Sequence, residues 1–143
     1  MFHKIIILGR LGRDPELRYT ATGTPVANFS VAANRRYTDQ DGQRVEETIW
    51  FRVTAWGKLA EIVHQYLRKG MAVYVEGRLV PDLNTGSPRI YQRRDGTAGA
   101  SYEVRADTLR ILTRQDAVDG ETQARETEIA PVDESPDEEE IPF

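Results

Sequence analysis

The stretch Thr48-Ile49-Trp50-Phe51-Arg52-Val53-Thr54-Ala55-Trp56 alternates with a period of two, the mark of a strand with two unlike faces. Successive side chains on a strand point to opposite sides. Ile49, Phe51, Val53 and Ala55 therefore share one face, and as a consistent apolar set they are expected to form the core. Thr48, Trp50, Arg52, Thr54 and Trp56 occupy the other, with two indoles flanking a guanidinium. Such a face is unfavourable to leave in water without a use.

Working toward the N-terminus, Asp39-Gln40-Asp41-Gly42 is a hairpin signal, strongest at its Asp-Gly step. Residues 26–37 alternate as a partner strand, with Ala27, Phe29, Val31 and Ala33 inward and Asn28, Ser30, Ala32 and Asn34 outward. Thr22-Gly23-Thr24-Pro25 and Asp14-Pro15 supply turns, and Gly9 and Gly12 mark bends or close approaches. Residues 3–8 are apolar on both alternating faces, which predicts a strand buried on two sides, against its own core and against a second subunit.

Toward the C-terminus the period changes. Leu59, Ile62, Val63, Tyr66 and Leu67 recur at helical spacing, predicting one amphipathic helix of about three turns across residues 57–70. Arg68 and Lys69 suit the negative end of its dipole, and Gly70 suits the left-handed position beyond it. Residues 71–80 and 101–113 read as strands. Residues 81–100 hold two Pro and three Gly with Arg89, Tyr91, Arg93 and Arg94, and read as a long flexible hairpin arm. The order β-β-β-α-β-β fits an all-β fold, the five-stranded Greek-key oligonucleotide-binding (OB) barrel with one helix between strands 3 and 4. An SH3-like barrel, the main competitor, usually lacks that helix.

The formal net charge of −4 hides a segregation. Residues 1–114 carry 18 Lys and Arg against 12 Asp and Glu, whereas residues 115–143 carry one Arg against 11 acids. A basic domain with an acidic tail is expected where the domain meets a polyanion; the bland alternative is a solubilising tail. The tail has one aromatic and little apolar surface to offset the entropy of ordering it, so it is expected to be disordered from about residue 115. It finishes in Asp137-Glu138-Glu139-Glu140-Ile141-Pro142-Phe143, where acids give way abruptly to an apolar end, the pattern of a short docking peptide.

A sequence-tolerant binder of single strands needs exposed aromatics for the bases and cations for the phosphates. This chain interleaves Trp50, Arg52 and Trp56, then Lys58, with Arg35, Arg36 and Tyr37 on the neighbouring strand and Arg89, Tyr91, Arg93 and Arg94 in the arm. A catalytic or metal role finds no support. There is no Cys, and the two His, His3 and His64, sit near the terminus and on the helix surface. Walker, nucleophile-elbow and kinase signatures are absent, and Glu46 and Glu47 point to opposite strand faces. No cofactor, metal or membrane partner is expected. With no membrane-length apolar run and no secretory signal pattern at Met1-Phe2-His3-Lys4, the expected location is cytoplasmic, with the nucleoid.

The chain resembles the bacterial single-stranded DNA-binding protein family over nearly its whole length. The stretches that carry the resemblance are Leu8-Gly9-Arg10-Leu11-Gly12-Arg13-Asp14-Pro15-Glu16, Val26-Ala27-Asn28-Phe29, Trp50-Phe51-Arg52-Val53, Gly57-Lys58-Leu59-Ala60-Glu61, Tyr66-Leu67-Arg68-Lys69-Gly70, Val73-Tyr74-Val75-Glu76-Gly77 and the acidic Ile-Pro-Phe tip. The resemblance implies a homotetramer around which DNA wraps, and a tip that recruits replication, recombination and repair proteins. It places base stacking on Tyr37, Trp50, Trp56 and Tyr91, and basic contacts on Arg52, Lys58 and Lys69. The chain departs from the family in three places: Tyr37 stands where Trp is frequent, the arm is rich in Pro and Gly, and the linker is acidic. The alternatives are an OB module for RNA or a primosome-type accessory, and a multimeric scaffold without DNA affinity, against which the Trp50-Arg52-Trp56 face argues.

Overall fold

The computed structural model describes residues 1–113. The expectations for the tail, its lack of order and the docking segment from Asp137 to Phe143, lie outside the described residues. So does the domain boundary at residue 114.

The described elements run β1 (Ile5–Leu11), β2 (Glu16–Tyr19), β3 (Pro25–Thr38), β4 (Arg44–Trp56), α1 (Lys58–Tyr66), β5 (Ala72–Leu79), β6 (Ile90–Gln92), β7 (Ala98–Ala100) and β8 (Tyr102–Ile111). The strands are ordered β1-β5-β8-β4-β3-β2, and a further pairing of β1 with β3 closes β1, β5, β8, β4 and β3 into a five-stranded barrel. This is the OB barrel expected from the element order. The pairings are antiparallel except β4 with β8, where Phe51 to Thr54 run parallel to Tyr102 to Arg105. Closure depends on β1, which pairs with β5 along residues 5–10 and with β3 at Arg10 and Leu11. The crossing is tight at Gly9, where a Cβ would stand 2.7 Å from Val31 Cγ1, so any side chain would force β1 and β3 apart.

The inward residues of these strands form one core. Phe29, Val31, Val53, Ala55, Val73, Val75 and Val104 are at most 2% exposed, and burying each of the valine and phenylalanine side chains contributes roughly 1.5–3 kcal/mol. Phe51 belongs to the core as expected, but Ile49 does not. β3 and β4 pair from Val26–Trp56 out to Thr38–Arg44, and Ile49 lies where this ribbon has left the barrel, so its inward parity meets no interior. The ribbon turns as the Asp-Gly signal requires. Asp39 Oδ1 accepts the backbone N–H groups of Asp41 and Gln43, at 3.0 and 2.8 Å.

The helix is shorter than expected, nine residues or roughly two and a half turns, and it buries a narrower stripe. Val63 and Leu67 are buried against the barrel and Leu59 packs beside them, as expected, joined by Ala60, whereas Ile62 and Tyr66 are exposed, because α1 touches the sheet along one narrow line. Arg68 caps its end as expected, donating to the carbonyl oxygens of His64 and Leu67 at 2.9 and 2.6 Å, and Gly70 takes a φ of 85°. Lys69 plays no such part; its backbone N–H donates to Asp14. The arm expected as a hairpin is one, with β6 paired antiparallel to β7, but the pairing covers only three residues on each side. One element was not foreseen: β2, a four-residue strand added outside β3.

Candidate nucleic-acid interface

The outward face of β4 carries Trp50, Arg52, Thr54 and Trp56, as period two demands. Its neighbours across the ladder are small or polar: Ala32 beside Trp50, Ser30 beside Arg52 and Asn28 beside Thr54. Asn28 and Thr54 hydrogen-bond at 3.0 Å, which stiffens the middle of the face. Trp50 is 55% exposed and Trp56 41%, while Phe51, Val53 and Ala55 between them are buried. The two indoles thus rest on a rigid floor with their rings in reach of a ligand.

One part of the face is an open cleft of about 420 Å³ lined by Trp50, Arg52, Tyr91, Gly12, Arg13 and Ser30, among others. It joins β4 to the arm, which brings Tyr91 to the face that the sequence placed on Trp50 and Arg52. Gly12 is needed under the indole: a Cβ there would lie 2.5 Å from Trp50 Cζ3 and 2.8 Å from Cη2. At the other end of the strand, the Arg105 guanidinium lies over the Trp56 ring, 5.4 Å from its centroid, and Lys58 opens α1 two residues beyond. Arg89 reaches back from the arm to Glu103, 3.9 Å away, and Glu103 stands at the same distance from Arg52.

The remaining candidates are placed elsewhere. Arg35, Arg36 and Tyr37 lie on the part of the β3–β4 ribbon beyond the barrel. Arg36 and Tyr37 line a second hollow there with Thr38, Arg44, Val45 and Glu46. Arg35 sits 4.7 Å from the centroid of Tyr37, and ion pairs to Glu47 and Glu46 hold Arg35 and Arg36 at 3.3 and 3.6 Å. Arg93 turns into its own hairpin, donating to the carbonyl of Ala98 at 2.8 Å, so it serves the arm's structure. Arg94 is exposed at the hairpin turn, and Lys69 is exposed in the loop after α1. Arg13, Gly12, Glu103 and Arg105 belong to the face and were missed. Arg13 and Gly12 stood inside a quoted motif; Glu103 and Arg105 become visible only once β8 is aligned beside β4.

Among the described residues no group of His, Asp or Glu is arranged to hold a metal ion, and no helix is long and apolar enough to cross a membrane. His3 accepts a hydrogen bond from the backbone N–H of Leu79 at 3.1 Å, and His64 is exposed on α1.

Comparison with known proteins gives a consistent result. The chain is 46% identical over 110 residues to the single-stranded DNA-binding protein of Neisseria meningitidis serogroup A, covering 77% of this chain and 59% of that protein. It is 38% identical over 120 residues to the single-stranded DNA-binding protein of Wolinella succinogenes, covering 84% of this chain and 70% of that one. The chain thus spans about three fifths of the length of the Neisseria relative. Among solved structures, a Plasmodium falciparum SSB in complex with ssDNA matches with a TM-score of 0.64 and 26% identity, over 79% of this chain and 96% of that one. A deletion mutant of the Thermus aquaticus single-stranded DNA binding protein matches at a TM-score of 0.60 and 27% identity, over 78% of this chain and 51% of that one. The family model of the Single-strand binding protein family matches residues 2–112, which take in the whole barrel and its arm, and the chain belongs to that family.

Proposed function

We propose that this chain binds single-stranded DNA with little sequence preference, stacking bases on Trp50, Trp56, Tyr91 and Tyr37 and neutralising phosphates with Arg52, Arg89 and the cations around them. The observation that carries this reading is the cleft in which Trp50, Arg52 and Tyr91 converge above a closed core. An exposed indole beside a guanidinium serves any unpaired base, since every base has a π face, and it serves a duplex poorly because the bases there are already stacked. The names of the relatives and the DNA-bound structural neighbour support the same reading. No bond-making step is assigned to the face, and the protein acts as a binder and not as an enzyme.

The same reading extends to the rest of the chain. Residues 1–114 act as the binding and self-association domain, a homotetramer joined through the outer face of β1. Residues 115–143 act as a tail whose segment from Asp137 to Phe143 docks onto replication, recombination and repair proteins in the cytoplasm. The charge contrast between the two parts supports this division. A pull-down from lysate with the full chain and with Phe143 deleted tests the tail; equal recovery of partners by both would overturn its role.

The central test is a titration of intrinsic Trp fluorescence with single-stranded DNA, duplex DNA and RNA of matched length. Single-stranded DNA should quench strongly, with affinity falling as salt rises and counterions are no longer released at a gain. Comparable affinity for the duplex at moderate salt would sink the proposal, and a preference for RNA would select the alternative OB module.

A further inference from the structure

One carboxylate stands where the charge of the ligand belongs. Glu103 projects from the outer face of β8 and is the direct parallel neighbour of Arg52 on β4. Its two oxygens face different arginines: Oε1 lies 3.9 Å from Arg52 Nη1, on the barrel, and Oε2 lies 3.9 Å from Arg89 Nη1, in the arm. The Glu103 side chain is 19% exposed, while the two guanidiniums are 55% and 56% exposed. Both separations exceed hydrogen-bond length, so the carboxylate is near enough to attract both arginines without clamping either. It is also the only acid on the stretch of β8 that pairs with β4.

We propose that Arg52 and Arg89 together form a seat for one backbone phosphate, and that Glu103 is a built-in competitor that holds this seat until a nucleic-acid strand displaces it. The inference rests on the single-strand reading above. A phosphodiester carries one negative charge and two free oxygens, as a carboxylate does, so it can face the same two guanidiniums and gain the bidentate contacts that Arg favours. Arg52 shares its cleft with Trp50 and Tyr91, so a phosphate in the seat has aromatic faces beside it for the flanking bases. A lone anion gains little by replacing an anion already present. A strand that stacks bases at the same time gains the stacking as well, so Glu103 biases the face toward polymers with unpaired bases. Until then it also draws the arm toward the barrel through Arg89.

The test uses the full chain with Glu103→Gln, titrated with an oligothymidylate of fixed length at several salt concentrations. The amide cannot compete, so binding should tighten several-fold at about 0.1 M salt. The displaced carboxylate no longer takes up a cation, so the log-log salt dependence should steepen by up to about one. Asp107→Asn is the control. Asp107 sits further along β8 and pairs with Arg78 at 3.5 Å, so this variant removes the same charge away from the seat and should give only a small part of the gain. An equal gain from Asp107→Asn would reduce the effect to net charge and overturn the proposal. Unchanged or weaker binding by Glu103→Gln, with the unmodified protein still binding, would overturn the competitor and leave the single-strand reading standing. Failure of the unmodified protein to bind any single strand would take both down.

Discussion

Trp50 and Phe51 are consecutive in the chain, yet one is 55% exposed and the other 8%, because the pleat sends them to opposite sides of one strand. Their substitutions should therefore separate cleanly. Trp50→Ala and Trp56→Ala should each weaken oligonucleotide binding by about 1–3 kcal/mol, the usual loss for a stacked base, and barely move a urea denaturation midpoint. Phe51→Ala should cost on the order of 3–5 kcal/mol of stability, since it opens a cavity in a packed interior. Trp variants that unfold beside a stable Phe51 variant would mean that the faces are assigned the wrong way round. Gly12 offers a subtler probe of the same indole. An alanine methyl there would overlap the Trp50 ring, and the exposed ring is free to swing aside. Gly12→Ala should therefore keep its stability and approach the binding loss of Trp50→Ala; normal affinity would show that the ring's placement over Gly12 does not matter to the ligand.

The strands announced themselves where a buried face lay against a polar one, and they were harder to read where that contrast failed. β4, β3, β5 and β8 were legible from alternation and turn residues. β2 was not: four residues, Glu16–Tyr19, with only Leu17 turned toward the core, are too few to show a period. Ile49 kept the parity of the core but not its location, since alternation says which side a residue faces and not how far the barrel extends. The helix repeated the lesson, with five apolar positions at helical spacing and a contact wide enough for fewer. Arg105 and Glu103 were out of reach because their neighbours on β4 lie about 50 residues away, a distance no local pattern spans. Between β1 and β5, Glu76 accepts hydrogen bonds from Lys4 at 2.7 Å and from Tyr74 at 2.6 Å. Those bonds, Lys4 first, hold its carboxyl below the ordinary value of 4.5, and the bond to Glu76 raises Lys4 and Tyr74 above theirs. A depressed carboxylate adds stability above its unfolded value and loses it as pH falls through the folded one. The raised Lys4 and Tyr74 add stability that is lost only as pH rises through their folded values. Glu76→Gln should accordingly flatten the acid limb of a plot of melting temperature against pH below about 4.5 while leaving the neutral plateau nearly level. An unchanged acid limb would remove this triad from the account.

The barrel as a whole leaves an apolar surface unexplained by its own packing. Ile6 and Leu8 are 59% and 63% exposed on the outer side of β1, while Ile7 between them is buried, and this outer side is the one that the proposed self-association would cover. Ile6→Lys should shift the protein toward the monomer in light scattering at micromolar concentration, and a stable monomer of the unmodified chain would count decisively against self-association through this face. The parallel pairing of β4 with β8 has a further consequence, which concerns time. During synthesis the N-terminal part emerges first, so both indoles are outside the ribosome long before Glu103 and Arg105 exist. Until residues 102–111 arrive, the partly made sheet has β4 and β5 as open edges, rows of unpaired N–H and C=O groups that invite pairing with other chains. Closure across so long a loop is also slow compared with local folding. A fragment ending at Ser101 should thus aggregate where the full chain stays dispersed, and a dispersed, barrel-containing fragment would refute this. Competence to bind then comes late and all at once, with the arrival of β8, so a chain that stops short of it has its aromatic residues but no finished surface with which to hold a strand.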